Sequence, residues 1–292
     1  MSNPVTIQPS SESPQKACLY VVGTPIGNLG DISARALEVL QSVDLIAAED
    51  TRHTRGLLQH FGINKPMLAV HDHNENSQVP QLVSRLHDGE RVALVSDAGT
   101  PLISDPGFPL VRACREAGVA VVAIPGPSAL IAALSVAGLP TDRFRFEGFL
   151  PRKRAARREL LSGMVEETAT LVFYEASHRV LETLQDMQHV FGGGRFAVLA
   201  RELTKLHETV LSGGLGELSK LVSGDSNQRK GEFVLMLAGA PAREVESSAE
   251  LDRYLEILLG ELPLKQAAGI AAQLLGVKKN AVYQRALALK GE

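Results

Sequence analysis

Short apolar runs alternate with amphipathic stretches along the first half of the chain. The runs have the length and aliphatic content of buried strands, and the stretches between them carry apolar residues at helical spacing. Strands are predicted over residues 17–22, 45–48, 67–70, 92–95 and 119–124. Repeated strand–loop–helix units predict a parallel sheet that is covered by helices on both faces.

The second half of the chain continues the α/β pattern and then becomes helical. Strands are predicted over residues 171–174, 196–200 and 232–237. The glycine-rich segment 213–216 predicts a turn before a short helix. From Ala249 onward the pattern is helical, and residues 270–285 have the spacing of a helix-turn-helix with Gly276 at its turn.

Composition shifts predict the limits of these parts. Residues 1–16 are polar and lack an apolar segment, which is typical of a disordered leader rather than a signal peptide. We expect one α/β subdomain over residues 17–143, a second over 144–240 and a small helical domain over 249–292. The fold class is therefore α/β with a C-terminal helical domain.

The whole-chain numbers exclude some classes of protein. A net charge of −3 over 292 residues gives no global argument for nucleic acid, so any such surface must be a local basic patch. Cys18 and Cys114 lie in apolar surroundings without metal-ligand spacing, which indicates reduced core cysteines of a cytoplasmic protein. No stretch reaches membrane-spanning length.

The segment from Val92 to Gly107, VALVSDAGTPLISDPG, is the most informative loop in the chain. A buried strand stops at Ser96, and a long turn dense in Gly, Pro and small polar residues then leads into a helix. Most strand-to-helix connections are shorter than this one. Ligands bind at the carboxyl edge of open parallel sheets, so we interpret this segment as a ligand loop rather than a structural connection.

Two other strand ends carry candidate chemistry. The glycines of residues 23–30 permit close backbone approach to a ligand, but neither a dinucleotide fingerprint nor a phosphate-loop lysine is present. The run from Glu49 to Arg55 contains two acids, two arginines and a histidine, which fits either a ligand site or a solvated helix start. The His71-Asp72-His73 segment lacks further ligands, so we predict no metal site.

Basic residues are concentrated in two places. Residues 152–158 contain five basic side chains without an intervening acid, which we interpret as a phosphate-contacting patch rather than a solvated helix face. In the tail, Lys278, Lys279 and Arg285 could face a nucleic acid. The alternative for the tail is a helical cap or a dimer element.

Several long motifs, in a fixed order, resemble one family. They are VGTPIGNLGDI at 22–32, AEDTR at 48–52, SDAGTPLISDPG at 96–107, IPGPSA at 124–129 and FYEASHR at 173–179. Together they resemble the RsmI family of small-subunit 16S ribosomal RNA cytidine 2′-O-methyltransferases, within the tetrapyrrole-methylase superfamily. The resemblance covers residues 17 to about 240, and the helical tail is one that family members often carry.

The resemblance implies two α/β subdomains, S-adenosylmethionine in the cleft between them, and a homodimer. This chain has Ser96-Asp97-Ala98 where the superfamily has a Gly-Asp-Pro loop, so the acid is kept while its neighbours differ. Carried over by position, the implied cofactor residues are Pro25, Asp97, Gly99, Thr100, Ile103, Ser128, Ala129, Tyr174, Leu203, Gly231 and Glu232.

The implied substrate is ribosomal RNA at the decoding centre of the small subunit. A ribose 2′-hydroxyl is a poor nucleophile that needs proton removal or strong orientation, and Asp50 and Glu175 are our candidate bases. Positive side chains should neutralise flanking phosphates. The candidates are Arg52, Arg55 and Arg179 in the cleft and Arg152, Lys153, Arg154, Arg157 and Arg158 on the outer approach.

Two other functions remain open at this point. A methylase of the same superfamily could act on a tetrapyrrole or a protein side chain, although the basic run and the helical tail favour RNA. A non-catalytic RNA-binding assembly factor could keep the fold. The presence of Pro25, Asp97, Ser128 and Ala129 argues against such a factor.

Overall fold

The computed structural model describes residues 17–241, 249–277 and 279–290. The predicted leader and most of the predicted linker lie outside the described residues. The chain divides into two compact units, residues 1–165 with 169–238 and residues 166–168 with 239–292. Within the described residues, no helix is both long and apolar enough to cross a membrane.

The first sheet of the larger unit is entirely parallel, as predicted. Its strands are β1 (Cys18–Val22), β2 (Leu45–Ala48), β3 (Met67–Ala69), β4 (Val92–Val95) and β5 (Ala120–Ile124). They lie side by side in the order β3-β2-β4-β1-β5. The central position of β1 and β4 places the loops that follow them in the middle of the sheet edge, where ligands bind in such folds.

A helix follows each strand of this sheet. They are α1 (Ala34–Ser42), α2 (Thr51–His60), α3 (Glu75–His87), α4 (Phe108–Glu116) and α5 (Ala129–Val136). Two apolar clusters pack on the sheet, one around Leu19, Leu94 and Leu110 and one around Ile46 and Val95. Cys18 and Cys114 are buried and unbridged, which confirms their assignment to the core.

The second sheet of the same unit is mixed. Its strands are β6 (Phe144–Phe149), β7 (Thr170–Ala176), β8 (Phe196–Arg201), β9 (Thr209–Gly214) and β10 (Glu232–Leu237). They lie in the order β6-β7-β10-β8-β9, and only β6 and β7 are parallel. The helices beside this sheet are α6 (Arg154–Ser162), α7 (Val180–Phe191) and α8 (Leu215–Gly224).

The prediction of a simple turn at 213–216 is wrong, because β9 runs up to Gly214. This edge strand pairs antiparallel with β8, from Thr209 opposite Arg201 to Gly214 opposite Phe196. Its residues are only half-buried or exposed, so the apolar alternation that marks a buried strand is weak. Pairing with β8, which sequence pattern does not reveal, stabilises it as a strand.

The smaller unit is helical, as predicted. It contains α9 (Ala249–Glu261), α10 (Leu264–Leu275) and α11 (Lys279–Lys290). Gly276 ends α10 in the left-handed conformation, with φ of 66°, that a helix-turn-helix needs at its turn. Ala272 and Val282 are buried in the small core of this unit, with Val277 packed against it.

Candidate active site

The three loops that follow β1, β4 and β5 contact one another at the edge of the first sheet. A methyl group added at Gly23 would lie 2.8 Å from Gly126 Cα, so the two backbones touch only because both residues are glycine. Thr24 and Gly99 form an isolated antiparallel bridge, with Thr24 N donating to Gly99 O at 2.8 Å and Gly99 N donating to Thr24 O at 3.1 Å. Gly23 and Gly126 therefore allow the loops after β1 and β5 to contact each other.

Side-chain hydrogen bonds hold the same three loops. The buried hydroxyl of Thr24 donates to Ser96 O at 3.2 Å, and the hydroxyl of Thr100 donates to Pro127 O at 3.2 Å. The loop after β4 also carries left-handed backbone at Leu102 and Ser104, with φ of 74° and 68°. Strained non-glycine residues of this kind are typical of functional sites, because the surrounding structure must hold them in place.

The second sheet contributes an aromatic wall to the same site. The hydroxyl of Tyr174, on β7, accepts a hydrogen bond from Leu130 N at 3.1 Å, which ties the second sheet to the first turn of α5. Burial raises the pKa of this hydroxyl above its usual value. The rings of Phe146 and Phe149 pack edge-on against Tyr174, with centroids 4.8 and 5.7 Å away.

These loops and the second sheet enclose a cavity of about 340 Å³. This volume is at the lower end of the range of about 300–1,000 Å³ that is usual for small-molecule sites. One part of the wall is apolar and includes Ala129, Ala200, Leu203 and Val234. Another part carries carboxylates, so the cavity suits a ligand that has both an apolar and a cationic portion.

Three carboxylates, Glu49, Asp97 and Asp105, line the cavity without a basic partner among the described residues. Asp97 N donates to Glu49 Oε2 at 3.2 Å, and Asp97 Oδ1 accepts from Asp50 N at 3.1 Å. These bonds fix the carboxylates but leave their charges uncompensated. Burial, with further repulsion from Asp97, Asp72 and Asp50, raises the pKa of Glu49.

Asp105 is the most perturbed acid of the cavity. Burial raises the pKa of this carboxyl to about 6, and the neighbouring charges of Glu49, Asp97 and Asp72 act in the same direction. A hydrogen bond with the Ser96 hydroxyl opposes the shift. A carboxyl with a pKa near neutrality that lines a cavity is suited to take up or release a proton.

Most of the cofactor residues implied by the family resemblance meet in this cavity. Nine of the eleven line it, and the two that do not are Pro25 and Gly231. Pro25 is half-buried beside Ile26, which does line the cavity. Gly231, with φ of 99°, lies against Glu202, where any side chain would collide with the Glu202 carboxyl group.

The two candidate bases have different surroundings. Asp50 caps α2, accepts from Arg52 N at 2.8 Å and pairs with the Arg52 side chain at 2.7 Å, and it does not line the cavity. These bonds hold the pKa of Asp50 well below its usual range. Glu175 lines the cavity, but it is buried and accepts hydrogen bonds from Arg179, Thr183 and Ala176 N. Protein donors therefore already engage both carboxylates.

None of the three arginines predicted for the cleft lines the cavity. Arg52 is exposed beside Asp50, and Arg55 borders a separate depression formed by α2 and residues 62–67. Arg179 is nearly buried and donates to Leu150 O at 2.7 Å and to Glu175. Arg179 therefore joins β6, β7 and α7, and its guanidinium faces protein partners.

The basic run at 152–158 divides into two groups, which corrects its interpretation as one exposed patch. Arg157 is only 1% exposed, so its guanidinium cannot reach a phosphate. Arg154, Arg157 and Arg158 all bond the buried carboxylate of Asp186, at 2.9, 2.8 and 2.7 Å from their Nε atoms. Arg152 and Lys153 are exposed and have no carboxylate partner within the described part of the chain.

Three site residues were not singled out from the sequence. Glu49 and Asp105 belong to the AEDTR and SDAGTPLISDPG motifs, but only the fold shows that their carboxylates share one cavity. Lys205 also lines the cavity, and it pairs with Glu202 at 2.9 Å and Glu232 at 2.8 Å. Its stem packs over Gly27, in the loop after β1. Apart from their strand-end positions, no sequence signal identifies these three residues.

In the helical unit, the basic residues of the tail have separate positions. Arg285 forms a two-pronged ion pair with Asp252, at 2.6 and 2.7 Å, which joins α11 to α9. Lys279 is exposed at the start of α11, and Lys278 lies outside the described residues. Arg285 therefore contributes to the packing of this unit.

Two family models match the chain. The model of the tetrapyrrole (corrin/porphyrin) methylases matches residues 18–219, which include most of the residues that line the cavity. The model of the RsmI C-terminal HTH domain matches residues 245–290, which contain the three helices of the smaller unit. The solved structure of the cobalt precorrin-4 methyltransferase CbiF is similar in fold, with a TM-score of 0.57 and 15% identity, covering 78% of this chain and 97% of that one.

Curated relatives are similar over nearly the full length. Ribosomal RNA small subunit methyltransferase I of Escherichia coli O157:H7 is 58% identical over 94% of this chain and 96% of its own. The protein of the same name from Pseudomonas aeruginosa is 59% identical over 94% of this chain and 98% of its own. These matches confirm the resemblance and the fold class inferred from the motifs. The chain belongs to the ribosomal RNA small subunit methyltransferase I family, within the tetrapyrrole methylases.

Proposed function

We propose that this chain transfers a methyl group from S-adenosylmethionine to the 2′-oxygen of a cytidine ribose in 16S ribosomal RNA, at the decoding centre of the small subunit. The similarity to relatives named ribosomal RNA small subunit methyltransferase I supports the substrate class. The observation that carries the catalytic part is the cavity, where uncompensated carboxylates face an apolar wall.

The residues present fit this cofactor. S-adenosylmethionine carries positive sulfonium and ammonium groups, and Glu49, Asp97 and Asp105 offer negative charge without a basic partner in the described chain. Its adenosine suits the apolar part of the wall, beside Ala129 and Leu203. When bound, the cofactor supplies a methyl group on a sulfonium, which is already an activated leaving group.

Asp105 is the proton acceptor that the geometry favours. Its carboxyl lines the cavity, and at pH 7 it is mostly ionised because its pKa, although raised, is about 6. A base with a pKa near the working pH combines the correct protonation state with useful basicity. The carboxylate takes the proton of the ribose hydroxyl, and the hydroxyl oxygen becomes the nucleophile. Asp50 and Glu175 are less suited, because protein donors already occupy both carboxylates.

Arg152 and Lys153 are the phosphate contacts we retain from the basic run. Both are exposed, and they precede α6 at a point only three residues beyond β6, whose last residue lines the cavity. Cations in this position would hold the RNA backbone near the site through electrostatic attraction. Arg154 and Arg158 add positive potential, although both are engaged with Asp186.

Membership of this family also suggests a cellular location, an oligomeric state and domain limits. We propose that the protein acts as a cytoplasmic homodimer without a metal ion, and that its domains are residues 17–143, 144–240 and 249–292. The predicted cofactor roles of Pro25 and Gly231 also stay proposals. The helical domain would add a second RNA contact, with Lys279 as its exposed cation among the described residues.

The test is methyl transfer to small ribosomal subunits from cells that lack the gene. The purified protein is incubated with labelled S-adenosylmethionine, and the label is mapped by nuclease digestion. We expect label on a single cytidine ribose, and none on subunits from wild-type cells, where that position is already methylated. Label on a base rather than a ribose would contradict the 2′-oxygen assignment.

Other outcomes identify the alternatives. Cofactor binding by calorimetry without transfer to subunits would favour a different acceptor, such as a tetrapyrrole or a protein side chain. Absence of cofactor binding, with RNA binding retained, would favour a non-catalytic assembly factor.

A further inference from the structure

Phe149 places an exposed aromatic ring at the mouth of the cavity. It is the last residue of β6 and lines the cavity, yet 56% of it is exposed. Burying an aromatic side chain is strongly favourable, so an exposed ring beside a cavity indicates a surface that a ligand covers.

A β-bulge determines the position of Phe149. The pairing of β6 with β7 shifts register between Phe146 and Phe149, and Gly148 within the shift has a left-handed backbone with φ of 64°. A methyl group added at Gly148 would lie 3.0 Å from Ser104 Oγ, so the bulge packs tightly on the loop after β4. Bulges next to active sites commonly re-aim a side chain, and this one directs Phe149 to the cavity.

The ring is held on one side and open on the other. It packs against Tyr174 with centroids 5.7 Å apart and an interplanar angle of 62°. Tyr174 is itself anchored by its hydrogen bond from Leu130 N. A ring supported in this way loses little conformational freedom when a second planar group stacks on it.

The surroundings of the ring indicate the chemistry of its occupant. Arg152 and Lys153 are exposed three and four residues further along the chain, so a polyanion suits this edge better than an apolar protein surface. Ile103, also 40% exposed, lines the cavity as a second apolar side chain. An apolar platform next to cations matches a nucleotide, which joins a flat base to a phosphate.

We propose that Phe149 stacks on the base of the nucleotide that accepts the methyl group. The inference rests on the proposed function, because it requires RNA at this cavity. To reach the cavity, the ribose of the acceptor has to leave the helical stack together with its base, and the lost stacking needs a replacement. Phe149 supplies that replacement and positions the nucleotide, while its own side chain takes no part in proton transfer.

The experiment compares variants in methyl transfer to subunits from cells that lack the gene. Phe149→Ala is expected to lower kcat/KM about tenfold or more, because one base–aromatic stack contributes roughly 1–3 kcal/mol. Phe149→Tyr keeps the ring and should stay within about threefold of wild type. Phe144→Ala is the matched control, since Phe144 is an exposed ring on the same strand that does not line the cavity. S-adenosylmethionine affinity, measured by calorimetry, should change less than kcat/KM does in Phe149→Ala and should not change in Phe144→Ala.

Three results would overturn the inference. The first is wild-type kcat/KM for Phe149→Ala. The second is an equal loss for Phe144→Ala, which would mean a general effect of the strand. The third is a change of oligomeric state in Phe149→Ala by sedimentation, which would make Phe149 part of a contact between copies of the chain. If wild-type protein transfers no methyl group to subunits, the proposed function fails, and this inference fails with it.

Discussion

Two clusters of like charge in the α/β unit differ in whether the protein supplies a partner of opposite charge. The carboxylates of Glu49, Asp97 and Asp105 line a cavity with no basic partner among the described residues. The guanidinium groups of Arg154, Arg157 and Arg158, by contrast, surround the fully buried carboxylate of Asp186. Both clusters arise from charged segments that look like binding sites in the sequence.

The pKa shifts show the difference in the two environments. Burial raises the pKa of Asp105 to about 6, because no cation offsets the loss of hydration. Burial acts on Asp186 in the same direction, but the combined hydrogen bonds from Arg158, Arg157 and Arg154 lower its pKa. Charged side chains that lack a partner in the fold indicate a ligand site, whereas charged side chains that pair with each other inside the fold have a structural role.

Arg157→Ala is the change with the largest expected effect on stability. It removes one partner of a fully buried ion pair, in which Arg157 Nη2 lies 2.6 Å from Asp186 Oδ2. Breaking a buried pair costs about 3–5 kcal/mol when the remaining charge has no other partner. We expect a loss at the lower end of this range, because Asp186 Oδ2 loses its partner while Arg154 and Arg158 still bond Oδ1. The free energy of unfolding from urea denaturation measures this loss.

Two variants sharpen that result. Arg154→Ala should cost less than about 1 kcal/mol, because the Arg154 side chain is 65% exposed. Arg157→Met combined with Asp186→Leu should recover most of the stability, since it removes both buried charges. Equal losses of stability for Arg154→Ala and Arg157→Ala would contradict the assignment of Arg157 as buried and Arg154 as exposed.

Asp97→Ala should weaken the binding of S-adenosylmethionine by about tenfold to a hundredfold. A hydrogen bond to a charged group contributes about 1.5–3 kcal/mol, and each 1.4 kcal/mol changes a dissociation constant tenfold. Calorimetry measures this change. Asp44→Ala is the control, because Asp44 pairs with Arg91 and does not line the cavity. If Asp97→Ala binds S-adenosylmethionine with wild-type affinity, Asp97 has no role in cofactor binding.

Asp105 should make activity depend on pH. With a pKa of about 6, its carboxyl is ionised above that pH and protonated below it. A proton acceptor must be ionised, and the pKa of the free protein governs kcat/KM, so kcat/KM should rise with pH up to about 6 and then level off. Asp105→Asn should remove this rise, as measured by methyl transfer between pH 5 and 8. A rise that persists in the variant would assign the proton to another group.

The same carboxyl should also affect stability. Its pKa is higher in the folded chain than in the unfolded one, so folded stability falls as the pH rises from about 4 to about 6. Asp105→Asn lacks this ionisation and should gain about 1 kcal/mol over wild type at pH 7, allowing for partial solvent screening. The gain should disappear at pH 4. Unfolding in urea at the two pH values tests the sign.

The smallest expected effect on stability belongs to the exposed pair Arg152 and Lys153. Changing both to Glu should leave the free energy of unfolding within about 0.5 kcal/mol of wild type. The KM for small subunits should rise severalfold, and its dependence on salt should weaken, because phosphate contacts release counterions. Arg112→Glu, on the exposed side of α4, is the control. An unchanged KM for the double variant would exclude this pair from RNA binding.

The sequence predicts the parallel sheet well, because each of its strands is an apolar run followed by a glycine-rich or polar loop. It also identifies the loop after β4, since Gly99, Pro101, Pro106 and Gly107 interrupt the pattern so clearly. The sequence does not predict β9, because its half-exposed residues show little periodicity. Only its pairing with β8 identifies it as a strand. Local pattern is sufficient where burial is strong and insufficient where pairing decides the structure.

The candidate site shows a similar division. Asp97, Thr100 and Ser128 follow strands that end at one edge, so their meeting in a cavity could be predicted from parallel topology. The choice among acids could not be predicted, because Asp50 and Asp105 look alike in sequence. Arg52 lies two residues from Asp50 and pairs with it, whereas Asp105 is partly buried and close to three other carboxylates.

By itself, the sequence determined the family, the order of the elements and the loops that build the site, because these depend on local pattern and on motifs written in the chain. Only the tertiary structure decided that Arg157 is internal, that Asp105 is an uncompensated acid and that Phe149 faces the cavity. The physical reason is that charge compensation and burial depend on residues distant in sequence. Asp186 is 29 positions from Arg157, and no pattern along the chain specifies that contact.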